Sequence, residues 1–119
     1  MAKDDYDVIV FKILTYLYSC LKGKATFNKN VFDALISKQS ITDEYLTNIL
    51  RMMSSDGLIE GISFAKAWGN TYIMISNYDD LLITSSGIRY LKENSKMNEV
   101  KKYLENIPGL VADLIKLVF

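Results

Sequence analysis

The stretch from Val8 to Leu21 has fewer possible fates than any other part of this chain. Its apolar residues are Val8, Ile9, Val10, Phe11, Ile13, Leu14, Tyr16, Leu17, Tyr18, Cys20 and Leu21, and they fall on nearly the whole circumference of a helix. A surface helix shows one apolar stripe, so a helix apolar on every side must be packed from more than one direction. The stretch is shorter than the roughly 20 residues that a membrane span requires, and Lys12 interrupts it. It therefore predicts a helix over residues 5–22, stopped by Gly23 and buried in the core of a folded domain.

The rest of the chain supplies what packs around it. Asn28 caps a predicted helix from Lys29 to about Lys38, with Phe27 and Phe32 at the spacing of a hydrophobic staple. After a brief turn at Gln39 and Ser40, a third helix opens at Thr42, where Ile41 and Leu46 repeat that spacing. Leu46, Ile49, Leu50 and Met53 recur with the helical period and form its inward face. Gly57 is the expected left-handed cap. Two β-rich runs follow, Leu58 to Ala65 and Thr71 to Ser76, joined by Lys66-Ala67-Trp68-Gly69-Asn70, whose Gly-Asn pair supplies turn chemistry for a hairpin. Thr84 caps a fourth helix, with Ile83 and Ile88 as a third staple, and Asn94-Ser95 ends it. A further helix is predicted from Lys96 to Asn106. Pro108-Gly109 then breaks the chain before a short amphipathic segment, Leu110 to Val118. No internal repeat, low-complexity stretch or second domain is visible.

Composition narrows the chemistry. The chain has 119 residues, a size suited to one domain, and its 14 basic residues balance 14 acidic ones. No net charge therefore draws it toward nucleic acid or membrane. There is no histidine, which removes the commonest general base and metal ligand. Cys20, lying among Tyr16, Leu17 and Leu21, reads as a small buried hydrophobe, and a lone cysteine fits a reducing cytosol. The N-terminus has no basic region leading into a signal-peptide core. Asp79-Asp80 is a carboxylate pair on a loop without a ligand cluster around it, and no glycine loop that would cradle phosphate is present. The expectation is a cytoplasmic protein outside the membrane, not an enzyme, with no catalytic residues, cofactor or metal.

The order helix, helix, helix, hairpin, helix is that of winged-helix domains. Ile49-Leu50-Arg51-Met52-Met53-Ser54-Ser55-Asp56-Gly57-Leu58-Ile59 resembles the end of a recognition helix running into a wing. Leu82-Ile83-Thr84-Ser85-Ser86-Gly87-Ile88-Arg89-Tyr90-Leu91 resembles the element that follows the wing in bacterial winged-helix regulators. More narrowly, Gly57-Leu58-Ile59-Glu60-Gly61, Ile83-Thr84-Ser85-Ser86-Gly87 and Tyr90-Leu91-Lys92-Glu93-Asn94 resemble the YjcQ-like family, small winged-helix proteins of Gram-positive bacteria and their prophages, over roughly residues 6–104. That family has no established activity, so the resemblance implies a fold and leaves the function open. The expected architecture is α+β, mainly α. It comprises a winged helix–turn–helix with a two-stranded β-wing and extra C-terminal helices, in one domain over residues 1–119 with a core of about 6–95 and an extension of 96–119.

In a DNA reader of this class the third helix would enter the major groove. Thr47, Asn48 and Arg51 on its outward side are suited to base and phosphate contact, and Lys66 and Trp68 at the wing tip complete the candidate site for double-stranded DNA. Asp43 and Glu44 oppose it: residues 42–60 carry one basic side chain, Arg51, against four acidic ones. A helix N-terminus favours carboxylates for its own reasons. The basic residues Lys22, Lys24 and Lys29, and Arg89, Lys92, Lys96, Lys101 and Lys102, read as solvated faces. A protein partner, bound on a winged-helix scaffold that has lost its DNA surface, is the alternative. Trp68 anchors such a partner if it projects, and simply packs if it folds back on Tyr72. Leu110, Val111, Leu114, Ile115, Leu117, Val118 and Phe119 either cover the first helix of their own chain or join it in a homodimer seam.

Overall fold

Helix α1 (Tyr6–Leu21) is the axis of the molecule, and the computed structural model describes residues 1–119 around it. Every side chain from Val8 to Ser19 is buried, as a helix apolar all round requires. Helix α2 (Lys29–Leu35) begins at the Asn28 cap, whose Oδ1 accepts from the Asn30 and Val31 N–H groups at 2.9 and 3.2 Å. It ends three residues short of the predicted Lys38. Ser37 takes the left-handed conformation at φ 55°, and a 3-10 turn (Lys38–Ser40) follows. Phe27 and Phe32 do meet, 5.4 Å apart, and Tyr16 of α1 lies 5.6 Å from Phe27.

Helix α3 (Asp43–Ser55) is capped by Thr42, whose Oγ1 accepts from the Tyr45 N–H at 3.1 Å. Leu46, Ile49, Leu50 and Met53 are all fully enclosed. The helix ends at Gly57, φ 77°, from which the chain enters the hairpin.

That hairpin is built in two storeys. At its base β1 (Ile59–Glu60) pairs antiparallel with β4 (Leu82–Ile83); at its tip β2 (Phe64–Lys66) pairs with β3 (Tyr72–Met74). The ascending side spends residues 61–63 between the storeys and the descending side residues 75–81, so one continuous ladder is impossible. The excess chain folds into a 3-10 turn (Tyr78–Asp80) that sets the Tyr78 ring 5.6 Å from Phe32. Gly61, at φ 90°, lies against the Asp80 backbone so closely that a Cβ would overlap the Asp80 carbonyl oxygen. Here only glycine combines that dihedral with that approach. The run predicted over 58–65 is therefore interrupted at 61–63, and the one over 71–76 is strand only from Tyr72 to Met74.

Helix α4 (Ser85–Glu93) starts at Thr84, whose Oγ1 accepts from the Gly87 N–H at 2.9 Å while its own N–H donates to Leu58 O at 3.2 Å. Asn94 both ends α4 and caps α5 (Ser95–Glu105), with Oδ1 accepting from the Lys96 and Met97 N–H groups. After Gly109, α6 (Leu110–Val118) lies along α1 and α5. Phe119 stacks parallel to Phe11 at 6.3 Å, and Lys22 Nζ donates to Val118 O at 2.9 Å. The apolar C-terminus and the over-apolar first helix thus cover one another within one chain. A single apolar cluster runs from Val8 to Val118, and Met97, Val100, Leu104, Leu114 and Ile115 belong to it. No helix is long and apolar enough to cross a membrane.

Candidate interface on the third helix and wing

The outward side of α3 begins acidic. Asp43 and Glu44 are exposed in its first turn, where carboxylates suit the partial positive charge of a helix N-terminus. Lys38 pairs with Asp43; this contact holds the Asp43 carboxyl below its ordinary range and the Lys38 ammonium above its own. Thr47 and Asn48 follow, half-exposed.

Arg51 has a different situation. Its guanidinium carbon lies 4.5 Å from the centroid of the Tyr72 ring, and its Nε is enclosed with no acceptor. The flat guanidinium is clamped between α3 and β3, where stacking on an aromatic face stabilises it. It ties the wing to the helix and fixes the direction in which the guanidinium presents itself.

Alternation decides the rest of the wing. Tyr72 and Met74 turn toward the body of the protein, whereas Ile73 and Ile75 are 53% and 62% exposed on the outer face. Leu82, on the base storey, is 53% exposed. Lys66 is exposed at the end of β2. Trp68 is 95% exposed at the tip, where Thr71 Oγ1 donates to its carbonyl oxygen at 2.7 Å. The fold-back of Trp68 onto Tyr72 does not occur; that ring holds Arg51 instead.

The five residues singled out from sequence therefore divide. Thr47 and Asn48 lie on the open side of α3, Lys66 and Trp68 project from the wing, and Arg51 is the strut between the two. Several of the basic residues elsewhere are engaged locally. Lys92 and Lys22 lie over Tyr18, Lys101 over Phe119, and Lys29 over Tyr78 while also pairing with Asp33 at 2.7 Å. Sequence reasoning missed Ile73, Ile75 and Leu82, although strict alternation in Thr71–Ser76 marks one face of that strand as outward. It also missed Lys12, which is only 5% exposed. A lone lysine within a helix apolar on all sides carried that signal. Cys20 is half-buried, and burial raises its thiol pKa, as befits a packing residue.

Three helices, a hairpin laid against the third and a helix docked behind the hairpin make this a winged-helix protein. The YjcQ protein family matches residues 11–109, and the chain belongs to that family. Neither the curated proteins nor the solved structures contain a match to it.

Proposed function

We propose that this winged-helix protein works by docking a protein partner on the outer face of its wing. The observation that carries this is the exposure of Trp68, Ile73, Ile75 and Leu82 together on one hairpin. Single exposed apolar residues are ordinary, but several on one element, with a tryptophan at its tip, are the composition of a binding surface. Charge supports it: Asp43, Glu44, Asp56, Glu60, Asp79 and Asp80 are all exposed on α3 and in the segments that form the wing. The partner fitted to such a surface presents an apolar patch with basic residues at its rim.

A second reading, a regulator that binds duplex DNA in the cytoplasm, is favoured by the element order and by Lys66 and Trp68 at the wing tip. Phosphate attraction dominates DNA affinity, and the acidic side of α3 works against it. One set of experiments separates the two. A photo-crosslinker at position 66 should join the wing to a definable protein surface, and Trp68→Ala with Ile73→Ser and Ile75→Ser should abolish the adduct without lowering Tm. Fluorescence anisotropy with a random duplex at 20–50 mM salt, a regime where electrostatic binding is strongest (roughly tenfold or more above physiological salt), should show no binding. Salt-dependent duplex binding lost in Lys66→Glu, with no protein adduct, would reverse the assignment.

A further inference from the structure

Beside α1, on the side formed by the end of α2, the turn from α5 into α6 and residues 1–3, lies a pocket of about 450 Å³. This is within the roughly 300–1,000 Å³ of small-molecule sites. Its wall is mostly apolar, with Val8, Leu35, Leu104, Ile107 and Val111 among the lining side chains. Tyr103 holds the N-terminal segment in place across α5, its hydroxyl donating to Met1 O at 3.1 Å.

Lys12 opens into this pocket although it is only 5% exposed. It takes part in none of the molecule's three ion pairs, Lys29–Asp33, Lys38–Asp43 and Lys96–Glu99, and in none of its side-chain hydrogen bonds. No aspartate or glutamate lines the cavity; the other cationic side chain that does is Lys3. The Lys12 side chain is enclosed while its ammonium reaches the cavity without a counter-ion, and a cation held in so apolar a setting is ordinarily paired. Burial, and then the neighbouring Lys3, lower the Lys12 pKa, the direction expected of a cation that lacks its anion.

We infer that this pocket is a binding site for a small amphipathic carboxylate, its hydrocarbon body against Val8, Leu35, Leu104 and Val111 and its carboxylate on the Lys12 ammonium. The shape and the charge point to the same ligand class. An apolar wall with a single convergent polar group orients a ligand by that group. A carboxylate supplies the charge-assisted hydrogen bonds that Lys12 lacks. Lys3, at the mouth, adds to the positive potential that draws an anion in. This site is independent of the wing and of whatever the wing docks.

The test uses the full chain, with octanoate and 1-octanol as probes in calorimetric titration. Octanoate should bind one equivalent per chain at least tenfold more tightly than octanol, since charged hydrogen bonds discriminate by about 10- to 100-fold. Lys12→Met should lose about 10- to 100-fold of octanoate affinity while binding octanol as the parent does, which also reports that the variant is folded. Lys12→Gln serves the same purpose if the methionine variant does not accumulate. Amide shifts on octanoate addition should cluster at residues 8–12 and 104–111. Equal octanoate affinity in the two chains, no binding by the parent, or shifts confined to Ile73 and Ile75 would overturn the inference. So would light scattering and amide signals showing the pocket filled by a second copy of the chain.

Discussion

Replacing Gly87 by alanine separates a structural argument from a sequence argument by sign. Gly87 is inside α4, and by helix propensity alone Gly→Ala there should stabilise by roughly 1 kcal/mol. In the folded chain, however, Gly87 is buried against Leu58, just before β1, and Ile83 of β4. An added Cβ would overlap Leu58 O, sit 2.9 Å from Ile83 Cγ1 and 3.1 Å from Leu58 C. The obstruction is backbone, so no side-chain rotation relieves it. Leu58 O is also the acceptor for the Thr84 N–H at 3.2 Å, so moving Leu58 away weakens the junction that starts α4. Overpacking of this kind costs about 1–3 kcal/mol or more, and a weakened hydrogen bond adds about 1 kcal/mol. Against the propensity gain, the net is a destabilisation of about 1–3 kcal/mol. For a chain of this size that lowers Tm by roughly 4–15 °C. Differential scanning calorimetry with urea unfolding as a second measure would read it, and Gly87→Val should be worse than Gly87→Ala. A Gly87→Ala protein as stable as the parent, or more so, would refute the close approach of α4 to Leu58.

Three other perturbations follow from the same geometry. Lys12→Met should raise stability by about 1 kcal/mol near neutral pH, because it removes an unpaired, partly desolvated charge. In the parent, the folded-state pKa of Lys12 lies below its ordinary 10.5. Between those two values the unfolded chain holds more protons, so parental stability should rise with pH through that window. Urea titrations at stepped pH should find this rise missing in Lys12→Met; an unchanged slope would count against the burial. Arg51→Ala and Tyr72→Ala should each loosen the wing, and their double-mutant cycle should give a coupling of about 0.5–2 kcal/mol; additive effects would mean that the strut is not there. Tyr78→Ala should cost about 2–4 kcal/mol by opening a space beside Phe32, and hydrogen exchange should speed up in both α2 and the 75–81 segment.

The helical skeleton was legible because its signals are local. Asn28, Thr42 and Thr84 each cap the helix that their position predicted, and Leu46, Ile49, Leu50 and Met53 turn inward as their spacing requires. What was not legible depends on approaches between segments distant in the chain. The break in the wing comes from Gly61 meeting the Asp80 backbone, a contact between two loops whose sequences carry no common period. Ser37, an ordinary residue, adopts φ 55° because α2 must turn sharply into α3, and no propensity rule anticipates that. Tyr78 stands next to the Asp79-Asp80 pair with no periodicity to mark it, yet its ring completes a cluster with Phe32, Phe27 and Tyr16.

The candidate site shows the same division more sharply. Thr47, Asn48, Lys66 and Trp68 could be placed from helix and strand periodicity, because each points away from its own element. Arg51 could not, since its environment is set by Tyr72, 21 positions later in the chain. A cation at an outward helix position takes its pose from whatever folds beside it, and here that is the wing. The consequence is chemical. An arginine stacked on tyrosine serves as a brace, and the side of α3 left open is the acidic one. The most exposed apolar side chains of the wing are then Trp68, Ile75 and Ile73. These groups recognise apolar surface by excluding water, a mode that salt leaves largely intact and that phosphate cannot satisfy.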